Sequence, residues 1–81
     1  MQKYNDWINK QTNIDGRCYE ISCNMVKEFP ELYIVIGEVL TNYGWENHTW
    51  CCNEDGFIID PTEKQFDVIY KYITKHSKHV V

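Results

Sequence analysis

The chain has 81 residues, 43% of them hydrophobic, 15% aromatic and 25% charged. That length holds one domain with one small core and excludes a separate cofactor-binding half. Twelve acidic against eight basic residues, a net charge of −4 and a pI near 5.2 exclude nucleic acid as a general partner, because phosphate binding requires clustered Lys and Arg.

The six Tyr, three Trp and three Phe each bury a large area, which helps so short a chain hold together. A second copy of the chain or a partner surface would add further burial, so a homodimer is a candidate state. No apolar run approaches the ~20 residues of a membrane span. The opening Met1-Gln2-Lys3-Tyr4-Asn5-Asp6 lacks the charged-then-apolar layout of a secretory signal. Cysteines stand at 18, 23, 51 and 52. Cys51 and Cys52 are adjacent and point to opposite faces of a strand, so they cannot share one bridging geometry. Free thiols in a reducing cytoplasm are therefore expected.

In chain order, a short helix is expected over Lys3 to Lys10, with Tyr4, Trp7 and Ile8 on one face. Gln11 to Gly16 reads as a loop, with Asp15 a candidate N-cap for the helix that follows. From Gly16 to Phe29 the apolar residues Cys18, Ile21, Met25, Val26 and Phe29 fall at helical intervals, and Pro30 closes the element. Cys18 thus sits in a first helical turn. Leu32 to Leu40 is β-branched and almost continuously apolar, as in a central strand covered on both faces. Glu46 to Cys52 and Phe57 to Asp60 read as two strands joined by the turn Asn53-Glu54-Asp55-Gly56, and Pro61 stops the second. Thr62 with Gln65 forms a capping-box pattern, and Phe66, Ile69, Tyr70 and Ile73 continue at helical spacing, although Val68 to Ile73 also favours a strand. The basic stretch Lys71 to His79 is expected to be a solvated helix face. The fold class is α+β, a small antiparallel sheet of about three strands packed against the Cys18 helix.

That hairpin places chemistry. With the turn centred between Glu54 and Asp55, cross-strand residue numbers sum to about 109, so Asp60 falls within side-chain reach of His48. Alternation puts His48, Trp50 and Cys52 on one face, expected to look at the Cys18 helix with Trp50 buried, and Thr49 and Cys51 on the other. A thiol at a helix start is biased toward thiolate by the helix dipole and free backbone N–H groups. Nucleophilic catalysis needs such a thiolate, an imidazole to carry the proton, and a third group to orient the imidazole. Cys18, His48 and Asp60 supply the three.

Gly16-Arg17-Cys18 at a helix start, His48-Thr49-Trp50 in a strand, and Asp55 to Thr62 ending in Asp60-Pro61-Thr62 together resemble the transglutaminase-like superfamily of papain-related cysteine hydrolases. Glu63-Lys64-Gln65-Phe66 is similar to the continuation in small phage and bacterial members. The resemblance covers roughly residues 16 to 66 and implies one minimal transglutaminase-like domain over residues 1–81. It implies Cys18 as nucleophile, His48 as general base and acid, and Asp60 as orienter. The activity implied is cysteine-dependent acyl transfer on a protein or peptide amide, of peptidase, amidase, deamidase or transglutaminase type, without a cofactor. A phage-encoded chain would work in a host cytoplasm.

Two other readings differ in class. The first is a binding module that keeps the fold without turnover, such as a phage-encoded inhibitor of a host protein. The second is a zinc site built from Cys18, Cys23, His48, Cys51 and Cys52, but Cys-x4-Cys on a helix and His-x-x-Cys on a strand do not form paired zinc knuckles, so no metal is expected.

Overall fold

Hydrophobic spacing and stop signals set most of the element order in the computed structural model, which describes residues 2–80. Helix α1 spans Gln2–Asn9 and helix α2 spans Cys18–Glu28. Strands β1 (Tyr33–Thr41), β2 (Gly44–Cys52), β3 (Ile58–Ile59) and β4 (Lys71–His79) form one antiparallel sheet in the order β3-β2-β1-β4, with a 3-10 turn at Glu63–Gln65. The class is α+β, with two α-helices and four strands among the described residues.

The strand count exceeds the expected three because the last element is β4 rather than a helix. Eight of its nine residues pair with β1, from Leu40↔Lys71 to Tyr33↔His79, with Lys75 passed over where the register shifts. The apolar β1 would otherwise keep one edge of unpaired backbone N–H and C=O groups, and satisfying that edge outweighs the helical spacing of Phe66 to Ile73. The Lys71 to His79 charges therefore lie along a sheet edge, a position that discourages further strand pairing. At the start of α2 the residue preceding Cys18 in the cap position is Arg17, which makes no side-chain capping bond, so Asp15 does not cap this helix.

The sheet separates two apolar clusters. On the helix side, Met25 and Val26 of α2 pack with Tyr4 of α1, Leu32, Cys51 and Ile59, bordered by Trp7, Ile8, Phe29 and Ile34. On the other side, Val35, Val39 and Trp50 are covered by Phe66, Ile69 and Tyr72, with Cys52 at the border. Alternation along β2 is as expected, but its direction is the reverse. Cys51 faces α2, while His48, Trp50 and Cys52 face away from it. The cause is the chain from Phe66 to Tyr72, which crosses the second face and gives it a cover that the helical reading of those residues did not provide. A single-residue step exchanges every side chain between faces. Trp50 is nonetheless buried, at 1% exposure.

Candidate functional site

Strand β2 carries His48 into the cover of the second face. Its ring stacks beside Trp50 at 5.7 Å between centroids and meets the edge of Phe66 at 5.0 Å. The hairpin leading to it pairs Cys51↔Ile59 and Cys52↔Ile58, one residue on from a symmetric turn. Pro61 then ends pairing, and Asp60 swings across the end of β3 so that His48 Nε2 lies 2.8 Å from Asp60 Oδ2. Both side chains are enclosed, at 0% and 1% exposure.

Asp60 is supported by two further donors. Thr62 N–H donates to Oδ1 at 3.1 Å, and the Tyr72 hydroxyl donates to Oδ2 at 2.9 Å. These donors take the place of water around the buried carboxylate. Burial pushes the Tyr72 hydroxyl far above its ordinary range, and the charge of Asp60 and the bond to it add to that shift. Tyr72 therefore stays protonated and acts as a donor. With Nε2–H directed at the carboxylate, a neutral imidazole would carry its lone pair on Nδ1. That Nδ1 is buried and has no hydrogen-bond partner among the described residues.

Cys18 is the first residue of α2 and is half-buried. Two tethers fix the start of α2, one to the turn that follows Asp60 and one to the edge of β2. The first runs through the turn after β3. Gly16 N–H donates to Gln65 Oε1 at 3.1 Å, and Gln65 Nε2 donates to Thr62 Oγ1 at 3.0 Å. Thr62 N–H is the donor already seen on Asp60. The second runs along β2. Because β3 pairs only with Cys51 and Cys52, no strand borders β2 from Gly44 to Trp50 on that side. The Ser22 hydroxyl donates there to the Thr49 carbonyl at 3.3 Å. Cys18 stands one helical turn before Ser22 on the same face, since residues i and i+4 align. The start of α2 thus lies along the open edge of β2, with Cys18 one turn before Ser22. No hydrogen bond joins it to His48 Nδ1.

The other thiols are of a different kind. All four cysteines are unpaired. Burial pushes Cys51 up to about 12, and its Sγ donates to the Ser22 carbonyl at 3.6 Å. Burial also raises Cys52. Among the described residues, no three His, Cys, Asp or Glu side chains converge as metal ligands.

Two clefts flank the site. One of about 400 Å³ lies between α1 and the turn after β3, with Asn5, Asp60, Pro61 and Lys64 in its wall. Another of about 310 Å³ is bounded by Asp15, Tyr43, Glu46, Gln65 and Phe66. Neither wall includes Cys18 or His48. Sequence reasoning singled out Cys18, His48 and Asp60 but not Tyr72, whose helical assignment hid it from the site. The Thr62–Gln65 spacing was visible as a capping box. Its role is different, since Gln65 links Gly16 to Thr62 across a 3-10 turn that Thr62 does not cap. No helix among the described residues is long and apolar enough to cross a membrane. Comparison with family models, curated proteins and solved structures gave no match.

Proposed function

We propose that this chain performs cysteine-dependent acyl transfer on a protein or peptide amide, with Cys18 as nucleophile, His48 as proton carrier and Asp60 as orienter, in the manner of transglutaminase-like enzymes. The observation that carries this reading is the buried, unpartnered Nδ1 of an imidazole whose Nε2 is held by a carboxylate. An unsatisfied buried acceptor costs about 1–3 kcal/mol, and a thiol proton from the adjoining helix start would relieve that cost. The two tethers on Gly16 and Ser22 support Cys18 as the donor.

In this reaction His48 Nδ1 takes the thiol proton, and the thiolate adds to the amide carbonyl carbon, moving an electron pair onto oxygen. Free N–H groups in the first turn of α2 stabilise that oxyanion. The C–N bond then breaks as Nδ1 returns its proton to the leaving amine, and a thioester remains on Cys18. Water or a second amine, deprotonated by His48, attacks the thioester and releases the acyl group.

A second reading has its own observation. The His48 side chain is fully enclosed, while Tyr43 and Phe57 are 82% and 65% exposed, the pattern of a binding module that keeps the fold without turnover. Iodoacetamide labelling at pH 6, read by peptide mass for Cys18, separates the two. The acyl-transfer reading expects rapid alkylation of Cys18 in the natural chain and at least a tenfold slower rate in His48→Ala. Equal rates in the two chains at pH 6 would refute the pairing and favour the binding module.

A further inference from the structure

Tyr72 donates to the same Asp60 oxygen that receives His48 Nε2, at 2.9 Å against 2.8 Å. Two donors on one oxygen compete for its electron density, whereas Oδ1 is left to the Thr62 N–H. The phenol is not placed there by chance of packing alone. Its ring meets Trp50 edge-on at 4.9 Å, Trp50 stacks on His48, and β4 pairing sets Tyr72 opposite Val39 on the covered face. Ring, hydroxyl, carboxylate and imidazole therefore form one closed circuit through Trp50.

We infer that Tyr72 is a positioning residue of the site, which holds the Asp60 carboxylate in register and restrains how strongly Asp60 draws on the His48 N–H. A phenol dipole on Oδ2 offsets part of the negative charge that the imidazolium meets, so the proton is held loosely enough to be returned to a leaving group. The charged groups facing the phenol are Asp60 itself and Glu63 on the turn after β3. The functional meaning of this restraint rests on the acyl-transfer reading, but the restraint on the His48–Asp60 bond does not.

Two variants test it. Tyr72→Phe removes the hydroxyl and keeps the ring. Site-specific 3-fluorotyrosine at 72 keeps the hydroxyl, makes it a stronger donor and preserves packing should the Phe variant fold poorly. The first readout is the proton resonance of His48 Nε2–H, assigned against His76 and His79. It moves downfield in Tyr72→Phe, as Oδ2 turns fully to the imidazole, and upfield with 3-fluorotyrosine. The second is the Cys18 alkylation rate at pH 6, expected to rise roughly threefold to fivefold in Tyr72→Phe and to fall with 3-fluorotyrosine. A merely structural phenol would lower reactivity in Tyr72→Phe and leave the 3-fluorotyrosine chain unchanged, which would overturn the inference. An unmoved Nε2–H resonance in both variants would overturn it as well. If the resonance moves as expected while alkylation ignores both Tyr72 and His48, the inference stands and the acyl-transfer reading fails.

Discussion

Gly37 stands in β1 opposite His48 and beside Thr74 of β4, at the irregularity where the β1–β4 register shifts. A methyl group built on it would lie 2.0 Å from the Ile73 carbonyl oxygen and 2.9 Å from Cη2 of Trp50. Gly37→Ala therefore requires β4 to retreat by about 1.4 Å before ordinary contact is restored, which stretches neighbouring ladder bonds from ~2.9 to ~4.3 Å and breaks them. Two such bonds at about 1 kcal/mol each, plus about 1 kcal/mol for displacing Trp50, give a loss of about 3 kcal/mol. A domain of this size has a total stability of about 4–12 kcal/mol, so the variant should remain folded but melt early. Urea unfolding followed by tryptophan fluorescence should show a lower midpoint with an unchanged slope. Gly44→Ala is the control, since a methyl there meets nothing within 4 Å and only the backbone at φ +104° resists it, at about 1–2 kcal/mol. Adding Trp50→Phe to Gly37→Ala should recover only the smaller share, because the nearer obstacle is a backbone carbonyl. A Gly37→Ala loss no larger than that of Gly44→Ala would refute the steric argument and the β4 placement with it.

Trp50→Ala, at a site that is 1% exposed, should cost about 3–5 kcal/mol in the same urea assay. A loss under about 1 kcal/mol would show that the second face is not packed as described. On the helix side of the sheet, the Tyr4 hydroxyl and then the Lys3 ammonium hold the Glu31 carboxyl down at about 2, with its own backbone N–H contributing between them. A depressed carboxyl contributes stability that is present above its unfolded value and is lost as pH falls through the folded one, here the window from about 4.5 to about 2. Because Glu31 is largely solvated, the effect is small, and Tyr4→Phe should flatten the acid limb of thermal unfolding in that window. An unchanged limb would show that the Tyr4–Glu31 bond does not survive in solution.

Much of this architecture was legible in local signals that have no competitor. Pro30 ends α2, the Asn53 to Gly56 turn closes the hairpin, and the apolar run of β1 marks a central strand. His48 and Asp60 could be brought together because a hairpin fixes neighbours by counting. What the sequence concealed depends on long-range pairing. Phe66 to Ile73 carries both a helical apolar spacing and, from Val68 on, a high strand propensity, and only the vacant edge of β1, some thirty residues earlier in the chain, decides between them. The orientation of β2 was concealed for the same reason. Both of its faces are buried from His48 to Cys51, and each carries one polar residue, so alternation says which residues go together but not which set meets the helix.

Pro61 has more influence on the site than its position in a loop suggests. It cannot donate to a ladder, and it forces the preceding residue into extended geometry, so β3 stops at Ile59 after two pairs. Had β3 continued, a third pair would have engaged Trp50 and a fourth Thr49, and the Thr49 carbonyl that accepts from Ser22 would have been taken by a strand. The early stop therefore does two things together. It releases Asp60 to turn onto His48, and it leaves the edge of β2 free for the first turns of α2. The imidazole and carboxylate meet because one strand is cut short, and the Gly16–Gln65–Thr62 bonds tie the start of α2, where Cys18 stands, to the same turn that orients the carboxylate.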